Sequence, residues 1–382
     1  MGSIGIICSI NFEDLLLDRK QRNIGGIGSV IKNVINYLEF DPILLFGVTS
    51  NKSQLRKEIK ISPQITFVPI IYLPEKSIIP DRVHVFFKSR NIKKILKKYK
   101  VGIVYSHCVE MAFWVSKDVF LVEHMHGANN AVSYSRFSYL RLGILIKFWG
   151  WLQKKVLQKA GAVITIDEDC YKLASRYKSK EQLHLIRNFI DTNIFYQEVG
   201  ESSFLKDFRG KKILLFVGRI EEVKGLELFV DTLKELQIRE KDWIGVLVGK
   251  GTYEETIKNY IGEMDMTNSV FLSGPVYDSN ELRKIYNNVT TLLLTSFQEG
   301  IPMTILESLA CGTPVLSTDV GGIKNLCGDG LPCYVQEGRD PKIFAEKIIN
   351  IVSKPNSPVS DFPYSTKSLA RSINKILKND KE

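Results

Sequence analysis

The chain has 382 residues, of which 44% are hydrophobic and 25% are charged. This composition is that of an ordinary folded protein, and the length allows two domains with separate cores. The six cysteines include no C-x-x-C pair, which argues against a zinc site and for unpaired thiols in a reducing compartment. Among them, Cys327 and Cys333 could close a small loop only if oxidised.

The first residues and the hydropathy pattern predict an untargeted cytosolic protein. Residues 1–10 lack a charged n-region and read as a strand, not as a signal peptide. No window reaches the roughly 18 uninterrupted apolar residues of a membrane-spanning helix.

The net charge of +10 is unevenly distributed. Residues 1–190 contain 29 Lys and Arg against 15 Asp and Glu, or 29 − 15 = +14, whereas residues 191–382 contain 23 against 27, or 23 − 27 = −4. The first half is therefore expected to face an anionic partner: a membrane, a pyrophosphate lipid or a nucleic acid.

Short apolar runs alternate with helical patterns, which predicts α/β domains with parallel sheets. The strands predicted in the first half are 4–10, 42–48, 65–72, 101–105, 119–122 and 162–166. A second series comprises 212–217, 243–248, 270–272, 291–295 and 315–317. Two doubly wound domains joined near 188–195 follow from this order, with a linker at 353–363 and a final helix at about 366–377.

Two segments of the first half are candidates for a membrane surface. Residues 87–100 carry seven cations around apolar residues at helical spacing, so a basic amphipathic helix could lie on an anionic bilayer. Packing of the apolar stripe on the protein's own sheet is the favoured alternative for that stripe. Residues 137–159 contain Trp149, Trp151 and several cations, but their apolar residues run almost all round the helix, so part of it belongs to the core.

The most informative stretch is 298–314, in which Glu299 and Glu307 stand on either side of a strand-to-helix junction. Pro302 suits the first turn of the helix, and Gly312 ends it. The free amides near 301–304 form an anion site, and each carboxylate can accept two hydrogen bonds from a vicinal diol. Two surface glutamates are an equally good explanation of the spacing alone.

Other candidate ligand contacts follow predicted strands. Arg219 and Lys224 come after strand 212–217, where they could neutralise a diphosphate, although two surface cations on a basic protein are the alternative. Gly249 and Gly251 follow strand 243–248, where glycine lets the backbone approach a ligand.

Two motifs of the first half suggest cofactors only weakly. Residues 25–28 lack the third glycine of a dinucleotide fingerprint at its proper spacing and better suit a turn that touches phosphate or an acceptor. His124 and His126 could suggest a metal, but the sequence offers no evident third ligand, and His107 has a structural role as readily as a functional one.

These motifs together resemble the retaining glycosyltransferases of family 4, which have the GT-B fold. Residues 299–315 resemble the family's Glu-x7-Glu signature, extending to 319–322, and residues 216–225 resemble its Gly-Arg-x4-Lys-Gly segment. Residues 186–195 resemble its inter-domain segment, with Phe189 in place of the usual glycine. Gly25-Gly26 and His126-Gly127 match two further landmarks in the family's order.

The resemblance implies two Rossmann-like domains that face each other across a cleft: an acceptor domain of residues 1–190 completed by a helix at 364–382, and a nucleotide-sugar domain of residues 191–363. It implies catalytic roles for Glu299, Arg219, Lys224 and His126. The donor-binding residues would be Glu307, Gly25, Gly26, Gly218, Gly249, Gly251, Gly300, Ile301, Pro302, Met303 and Thr304. Neither a metal nor another cofactor is expected.

The expected reaction is transfer of a hexose from a UDP- or GDP-linked donor to a lipid-linked saccharide in surface polysaccharide assembly. The protein would then be cytoplasmic and peripheral on the inner face of the plasma membrane. A GT-B sugar epimerase or phosphorylase is the alternative among enzymes. A non-catalytic nucleotide-sugar-binding protein is the alternative from another class. The absence of an aromatic-interleaved basic patch argues against a nucleic-acid partner.

Overall fold

A computed structural model describes residues 3–17, 25–74, 80–127, 143–327, 330–353 and 362–379. The chain divides into two compact units, residues 1–187 with 367–382, and residues 188–366. The boundaries derived from sequence, 190/191 and 363/364, lie within a few residues of these. In the second unit, Ile190 pairs with Ser365, so the entering and leaving segments run side by side.

The first unit is built on an eight-stranded sheet of order β3-β4-β2-β1-β5-β6-β7-β8, parallel except for the pairing of β3 with β4. The strands are β1 Ile4–Ile7, β2 Ile43–Thr49, β3 Ile59–Lys60, β4 Ile65–Tyr72, β5 Ile103–Ser106, β6 Phe120–Met125, β7 Ala162–Thr165 and β8 Leu183–Leu185. Its central strands are buried almost completely, as expected of a parallel sheet covered on both faces.

Among the residues described above, eight helices belong mainly to this unit. They are α1 Phe12–Leu16, α2 Gly25–Ile35, α3 Asp81–Lys88, α4 Ile92–Lys98, α5 Val109–Ala112, α6 Gly143–Lys159, α7 Glu168–Ala174 and α14 Thr366–Lys378. The last is tied to the segment after α2: the Asn374 side chain accepts from the Glu39 amide at 2.9 Å and donates to the Tyr37 carbonyl at 2.8 Å.

The second unit has a six-stranded parallel sheet of order β11-β10-β9-β12-β13-β14. Its strands are β9 Lys212–Val217, β10 Trp243–Val248, β11 Val270–Gly274, β12 Thr291–Leu294, β13 Val315–Thr318 and β14 Cys333–Gln336. Its helices are α8 Leu226–Arg239, α9 Glu254–Glu263, α10 Ser279–Asn287, α11 Met303–Ala310, α12 Ile323–Leu326 and α13 Pro341–Val352. In such sheets, ligands bind beyond the carboxyl ends of the strands.

The predicted strands all occur, with shifted ends, and β3, β8 and β14 are absent from the predicted set. The largest difference concerns β6, which continues to Met125. It is hydrogen-bonded to β5 on one side and to β7 on the other, where Met125 pairs with Thr165. Neighbours on both sides keep the polar residues Glu123 and His124 within the strand, although the apolar run ends at Val122.

The prediction of a single helix at 87–100 is wrong. The segment consists of the end of α3, a 3-10 turn at Ser89–Asn91 and α4. The buried Ser89 hydroxyl donates to the Val85 carbonyl at 2.6 Å and so competes for a helical acceptor. Ile92 and Leu96 lie in the core of the unit, so the apolar stripe packs on the protein's own sheet while Lys93 and its neighbouring lysines remain exposed.

The prediction of unpaired thiols is wrong for one pair, because Cys327 and Cys333 form a disulfide bond. The other four cysteines are buried and free. Across the ranges given above, no helix combines the length and hydrophobicity needed to cross a bilayer. The predicted linker at 353–363 and residues 137–142 of the second membrane candidate lie almost entirely outside the described residues.

Candidate active site

The junction between β12 and α11 holds both glutamates of the Glu-x7-Glu pattern. Glu299 lies in the loop beyond β12, and Glu307 is the fifth residue of α11. Pro302 is the N-cap residue and makes no side-chain cap hydrogen bond, so the helix begins one residue later than its position suggested. The first amides of α11 therefore have no capping side chain and suit an anion.

Glu299 forms a half-shielded ion pair with Lys224. The Lys224 Nζ lies 2.5 Å from Glu299 Oε1, and the two side chains are only 16% and 12% exposed. The buried Ser296 hydroxyl donates to the same oxygen at 2.7 Å. Lys224 and Glu299 are 75 positions apart in sequence, so their ion pair joins the loop after β9 to the loop after β12.

Glu307 is buried, with 9% of its surface exposed. The Tyr286 hydroxyl donates to Glu307 Oε2 at 2.8 Å. Burial raises the pKa of Glu307 to about 7, and the hydrogen bond from Tyr286 acts in the opposite direction. The carboxyl group therefore changes its charge near neutral pH. Its other oxygen, Oε1, takes no part in the hydrogen bond with Tyr286.

The loops beyond β9 and β10 touch through backbone atoms. The Gly218 amide donates to the Val248 carbonyl at 3.0 Å, and the Ile220 amide donates to the Lys250 carbonyl at 3.1 Å. A Cβ added to Gly249 would lie 1.8 Å from the Gly218 carbonyl oxygen. Position 249 therefore requires glycine because of this backbone contact within the protein. The close approach of a ligand is not needed to explain the glycine.

The loop beyond β13 is fitted against Glu299 in the same way. Gly321 has φ +60°, and a Cβ there would lie 2.0 Å from the Glu299 carbonyl oxygen. The Gly322 amide donates to the Gly300 carbonyl at 3.3 Å. The Asn188 side chain donates to the Ile301 carbonyl at 2.7 Å. A backbone contact from the loop beyond β13 and a side-chain contact from Asn188 therefore hold the segment that carries Glu299.

Two arginines differ in how firmly they are held. Arg219 is 57% exposed and pairs with Glu221 at 2.7 Å, so its guanidinium is available at the surface. Arg339 donates to the Thr295 carbonyl at 2.8 Å and lies 3.9 Å from the centre of the Phe297 ring. No motif in the sequence identifies Arg339, which braces the base of the Glu299 loop.

The structure thus brings together part of the predicted site. The second unit contributes Lys224 and Glu299 in direct contact, and Gly218 and Gly249 in contact within adjoining loops. Glu307 contacts Tyr286, a residue that sequence reasoning missed. The remaining predicted donor contacts of this unit, Gly251 and residues 300–304, lie in the loops after β10 and β12.

In the first unit, Gly25 and Gly26 are the first two residues of α2, so the glycine-rich segment opens a helix. A Cβ added to Gly26 would meet no atom within 4 Å, so this glycine is not required by local packing.

His126 follows β6 and belongs to a group of three histidines with His107 and His124, whose candidate ligand atoms all lie within 4.8 Å of one another. The inference that no third ligand accompanies the His-x-His pair is therefore wrong. Burial lowers the pKa of all three imidazoles, that of His126 to about 4. The rings are neutral at pH 7.

An Asp-x-Asp pattern, the acidic pair of metal-dependent transferases, occurs after β7 at residues 167–169. Asp167 is the N-cap of α7 and accepts from the Cys170 amide at 2.7 Å. Glu168 pairs with Arg187 at 2.9 Å. These contacts give the first two acidic residues structural roles at the start of the helix.

Family comparisons agree with this architecture. Residues 24–194 match the sequence model of Glycosyltransferase Family 4, and residues 201–362 match that of Glycosyl transferases group 1. The uncharacterized glycosyltransferase MJ1178 of Methanocaldococcus jannaschii is 26% identical over 174 residues, 46% of this chain and 45% of that protein. The match thus spans less than half the length of this curated relative.

Solved structures extend the similarity over the whole chain. Sucrose-phosphate synthase of Thermosynechococcus elongatus has a TM-score of 0.78 at 17% identity and covers 99% of both chains. HepE of Anabaena, solved in complex with UDP and glucose, has a TM-score of 0.73 at 15% identity and covers 99% of this chain and 100% of its own. At these identities the likeness concerns the fold.

Two Rossmann-like units, each with a parallel sheet, and a Glu-x7-Glu junction at the carboxyl end of β12 define a GT-B protein. The two family models together cover nearly all of the chain. The chain belongs to the GT-B glycosyltransferases of the family 4 type.

Proposed function

We propose that this protein is a retaining glycosyltransferase that moves a hexose from a nucleoside-diphosphate sugar, UDP- or GDP-linked, to a hydroxyl of a lipid-linked saccharide in surface polysaccharide assembly. The observation that carries the proposal is the shielded contact between Lys224 and Glu299 in loops that meet beside the start of α11. A cation and a diol acceptor held together suit a sugar diphosphate.

The donor is assigned part by part. Its diphosphate lies at the first amides of α11, with Arg219 and Lys224 as counter-charges. Glu307 accepts hydrogen bonds from the ribose hydroxyls, and Glu299 contacts and orients the hexose. HepE, which has the same fold, was solved with UDP-glucose, and this supports a nucleotide sugar as the donor here.

The chemistry follows from the developing charge on the leaving diphosphate. As the glycosidic bond breaks, Arg219 and Lys224 stabilise the phosphate oxygens. The acceptor hydroxyl attacks the same face of the sugar, and the leaving phosphate takes its proton, so the anomeric configuration is retained. His126, which is half-buried, donates or accepts a hydrogen bond at the sugar or the β-phosphate. The two cations make a metal at the diphosphate unnecessary.

Two substitutions test the carboxylate roles. Glu307→Gln should raise the KM for the donor, because ribose binding loses a charged acceptor. Glu299→Gln should mainly lower kcat, because the hexose is misoriented and Lys224 loses its partner. Glu255→Gln, at an exposed position of α9, is the matched control and should behave as wild type. Wild-type rates in both site variants would refute the assignment.

Product analysis tests the reaction itself. A panel of UDP- and GDP-sugars is incubated with the protein and a membrane extract, and products are identified by mass spectrometry and the anomeric configuration by NMR. An inverted linkage would refute the retaining mechanism. Isomerisation of the donor sugar without an acceptor would indicate an epimerase instead, and phosphate-dependent release of a sugar phosphate from a saccharide would indicate a phosphorylase. Donor binding without turnover under every condition would indicate a non-catalytic binding protein.

The lipid-linked acceptor and the peripheral location rest on the surface of the first unit. Residues 93, 94, 97 and 98 of α4 are exposed lysines. Nearby, Phe87 is 51% exposed beneath the Arg90 guanidinium, 5.0 Å from the ring centre. Trp151 of α6 is 44% exposed beside Phe113 and Phe148. Aromatic side chains flanked by cations suit the interface of an anionic bilayer.

Flotation with liposomes tests this surface. Binding to vesicles of anionic lipid should exceed binding to neutral vesicles and should weaken as salt rises, because salt screens the attraction between the lysines and the lipid. Each cation near the surface contributes about 1 kcal/mol at most to binding. Changing the four α4 lysines to Gln should reduce flotation. The matched control changes Lys206, Lys211, Lys241 and Lys342, four exposed lysines of the second unit, to Gln.

The two lysine sets remove the same charge from different surfaces. If both reduce flotation equally, net charge and not this surface attaches the protein. If neither changes flotation or transfer to a lipid-linked acceptor, α4 is only a solvated face and does not attach the protein to the membrane.

A further inference from the structure

We propose that His107, His124 and His126 form a binding site for a divalent transition-metal ion, with Zn²⁺ as the best match. The site lies in the first unit, and a Glu-x7-Glu glycosyl donor site does not call for it. Three imidazole nitrogens are a ligand set that zinc, copper and nickel accept, whereas magnesium and calcium prefer oxygen.

The sheet brings the three side chains together. Parallel pairing places Ser106 of β5 opposite Glu123 of β6, so His107, the next residue, lies beside His124. His124 and His126 are two residues apart along β6 and its extension and therefore share a face. Glu123 points to the opposite face. The cluster is thus fixed by strand register rather than by a mobile loop.

The ring geometry is close to that of a coordination site. The candidate ligand nitrogens of the three rings all lie within 4.8 Å of one another. His107 Nδ1 and His126 Nε2 are hydrogen-bonded to each other at 2.8 Å, so His126 must give up this bond if it is to bind an ion through Nε2. The three ring centres are separated by 4.5 to 5.1 Å. Ligand nitrogens on one tetrahedral zinc, each about 2.0–2.1 Å from the metal, lie about 3.4 Å apart. The near-parallel rings must rotate about their side-chain bonds to converge on one ion, and the nitrogens must shift by about 1 Å.

Two buried nitrogens supply a second, independent observation. Among the described residues, His107 Nε2 and His124 Nε2 are buried side-chain atoms that have no hydrogen-bond partner. Their residues are 5% and 2% exposed. Buried polar atoms are nearly always paired, so two orphans in one cluster need an explanation. A metal ion would take both lone pairs at once.

Tyr105 makes the kind of hydrogen bond that usually orients a metal-binding histidine. Its buried hydroxyl lies 2.7 Å from His124 Nδ1. When the hydroxyl accepts a hydrogen bond from Nδ1–H, His124 presents an unprotonated Nε2, which is the form that binds a metal.

Metal binding has a consequence that rests on the proposed function. If His126 contacts the donor sugar or its β-phosphate, a metal ion that binds His126 withdraws it from the donor. The ion is therefore an inhibitor and not a required cofactor. Transfer should fall as Zn²⁺ is added and should recover with EDTA, while EDTA alone leaves transfer intact.

Metal binding is measured first, without donor or acceptor, so that its outcome is independent of glycosyl transfer. The chelator-treated full chain is titrated with Co²⁺, which should give the visible absorption bands of a tetrahedral site. Calorimetry with Zn²⁺ should give about one ion per chain. His107→Gln, His124→Gln and His126→Gln should each remove the cobalt bands.

The controls separate this site from other metal binding. Tyr105→Phe should weaken zinc binding by roughly 10- to 100-fold, the usual effect of losing the hydrogen bond that orients a metal-binding histidine. His84→Gln and His184→Gln, the two histidines outside the cluster, should bind as wild type. Circular dichroism checks that each variant is folded.

The proposal is overturned if wild type shows no cobalt bands, or if folded cluster variants bind as wild type does. Zinc binding without inhibition would leave the metal site intact and refute only the role of His126 at the donor.

Discussion

Tyr286→Phe gives the sharpest test of the donor site, because it changes the charge of Glu307 without touching the carboxyl itself. Glu307 is buried, and its pKa is raised to about 7. The Tyr286 hydroxyl stabilises the ionised form through a 2.8 Å hydrogen bond to Oε2. A ribose diol needs the ionised form as its acceptor. Donor affinity in the wild type should therefore rise with pH between 6 and 8.

The size of the effect follows from the hydrogen bond. A hydrogen bond to a charged group is worth about 1.5–3 kcal/mol, and about 1.4 kcal/mol equals one pKa unit. Its loss should move the pKa of Glu307 from about 7 to about 8 or higher. At pH 7 the ionised fraction then falls from about one half to about one tenth, so donor affinity falls about fivefold. The difference between the two proteins should narrow as the pH rises to 9, because a growing fraction of the variant's carboxyl group is then ionised.

Calorimetric titration of the nucleoside diphosphate and of the matching sugar donor at pH 6, 7, 8 and 9 measures this shift. Tyr260→Phe is the matched control, because it removes a 2.7 Å tyrosine hydrogen bond to Asp231, between α9 and α8. The control should leave the pH profile of donor binding unchanged. An equal loss of affinity at every pH would show that Tyr286 acts through packing alone, and the ionisation argument would then fail.

Three further results are expected. Burial raises the folded-state pKa of Glu307 above its ordinary 4.5, so the stability of the protein falls as pH rises from 4.5 to 7. The Glu307→Gln variant, which cannot ionise, should have an unfolding free energy up to about 3 kcal/mol above that of the wild type at pH 8 and little above it at pH 4. Urea denaturation at the two pH values measures this difference. Gly249→Ala should lower the free energy of unfolding by roughly 1–3 kcal/mol, because the added Cβ would clash with the Gly218 carbonyl oxygen. Gly262→Ala, whose Cβ would lie in open space, should raise the free energy of unfolding by about 0.5–1 kcal/mol. Glycosyl transfer should survive excess EDTA, and loss of activity restored by Mn²⁺ or Mg²⁺ would contradict the two-cation site.

The features that could be predicted from sequence are local ones. An apolar run of about five residues identifies a buried strand, and the polar residues just beyond it mark the carboxyl edge of the sheet. Arg219, Lys224 and Glu299 were located in this way, each in a loop after a strand that the structure contains. The division into two units also follows locally, from two series of strands with a break between them.

The features that escaped prediction depend on contacts between distant residues. Lys224 and Glu299 meet across the gap between adjacent strands, and Tyr286 reaches Glu307 from α10. His107 joins the His-x-His pair only because β5 and β6 align in one register. The split of the 87–100 segment depends on the buried hydroxyl of Ser89, and no periodicity of apolar residues encodes that contact.

The buried polar groups of both units oppose stability, and this is itself an argument about function. Glu307 is held where its charged form is disfavoured, and His107 and His124 each leave a buried nitrogen without a partner among the described residues. Apolar side chains at these positions would remove those costs. A fold that retains such costly groups does so for binding or chemistry more readily than for packing. Variants at Glu307 and at the histidines that gain stability while losing donor or metal binding would be the signature of that conflict.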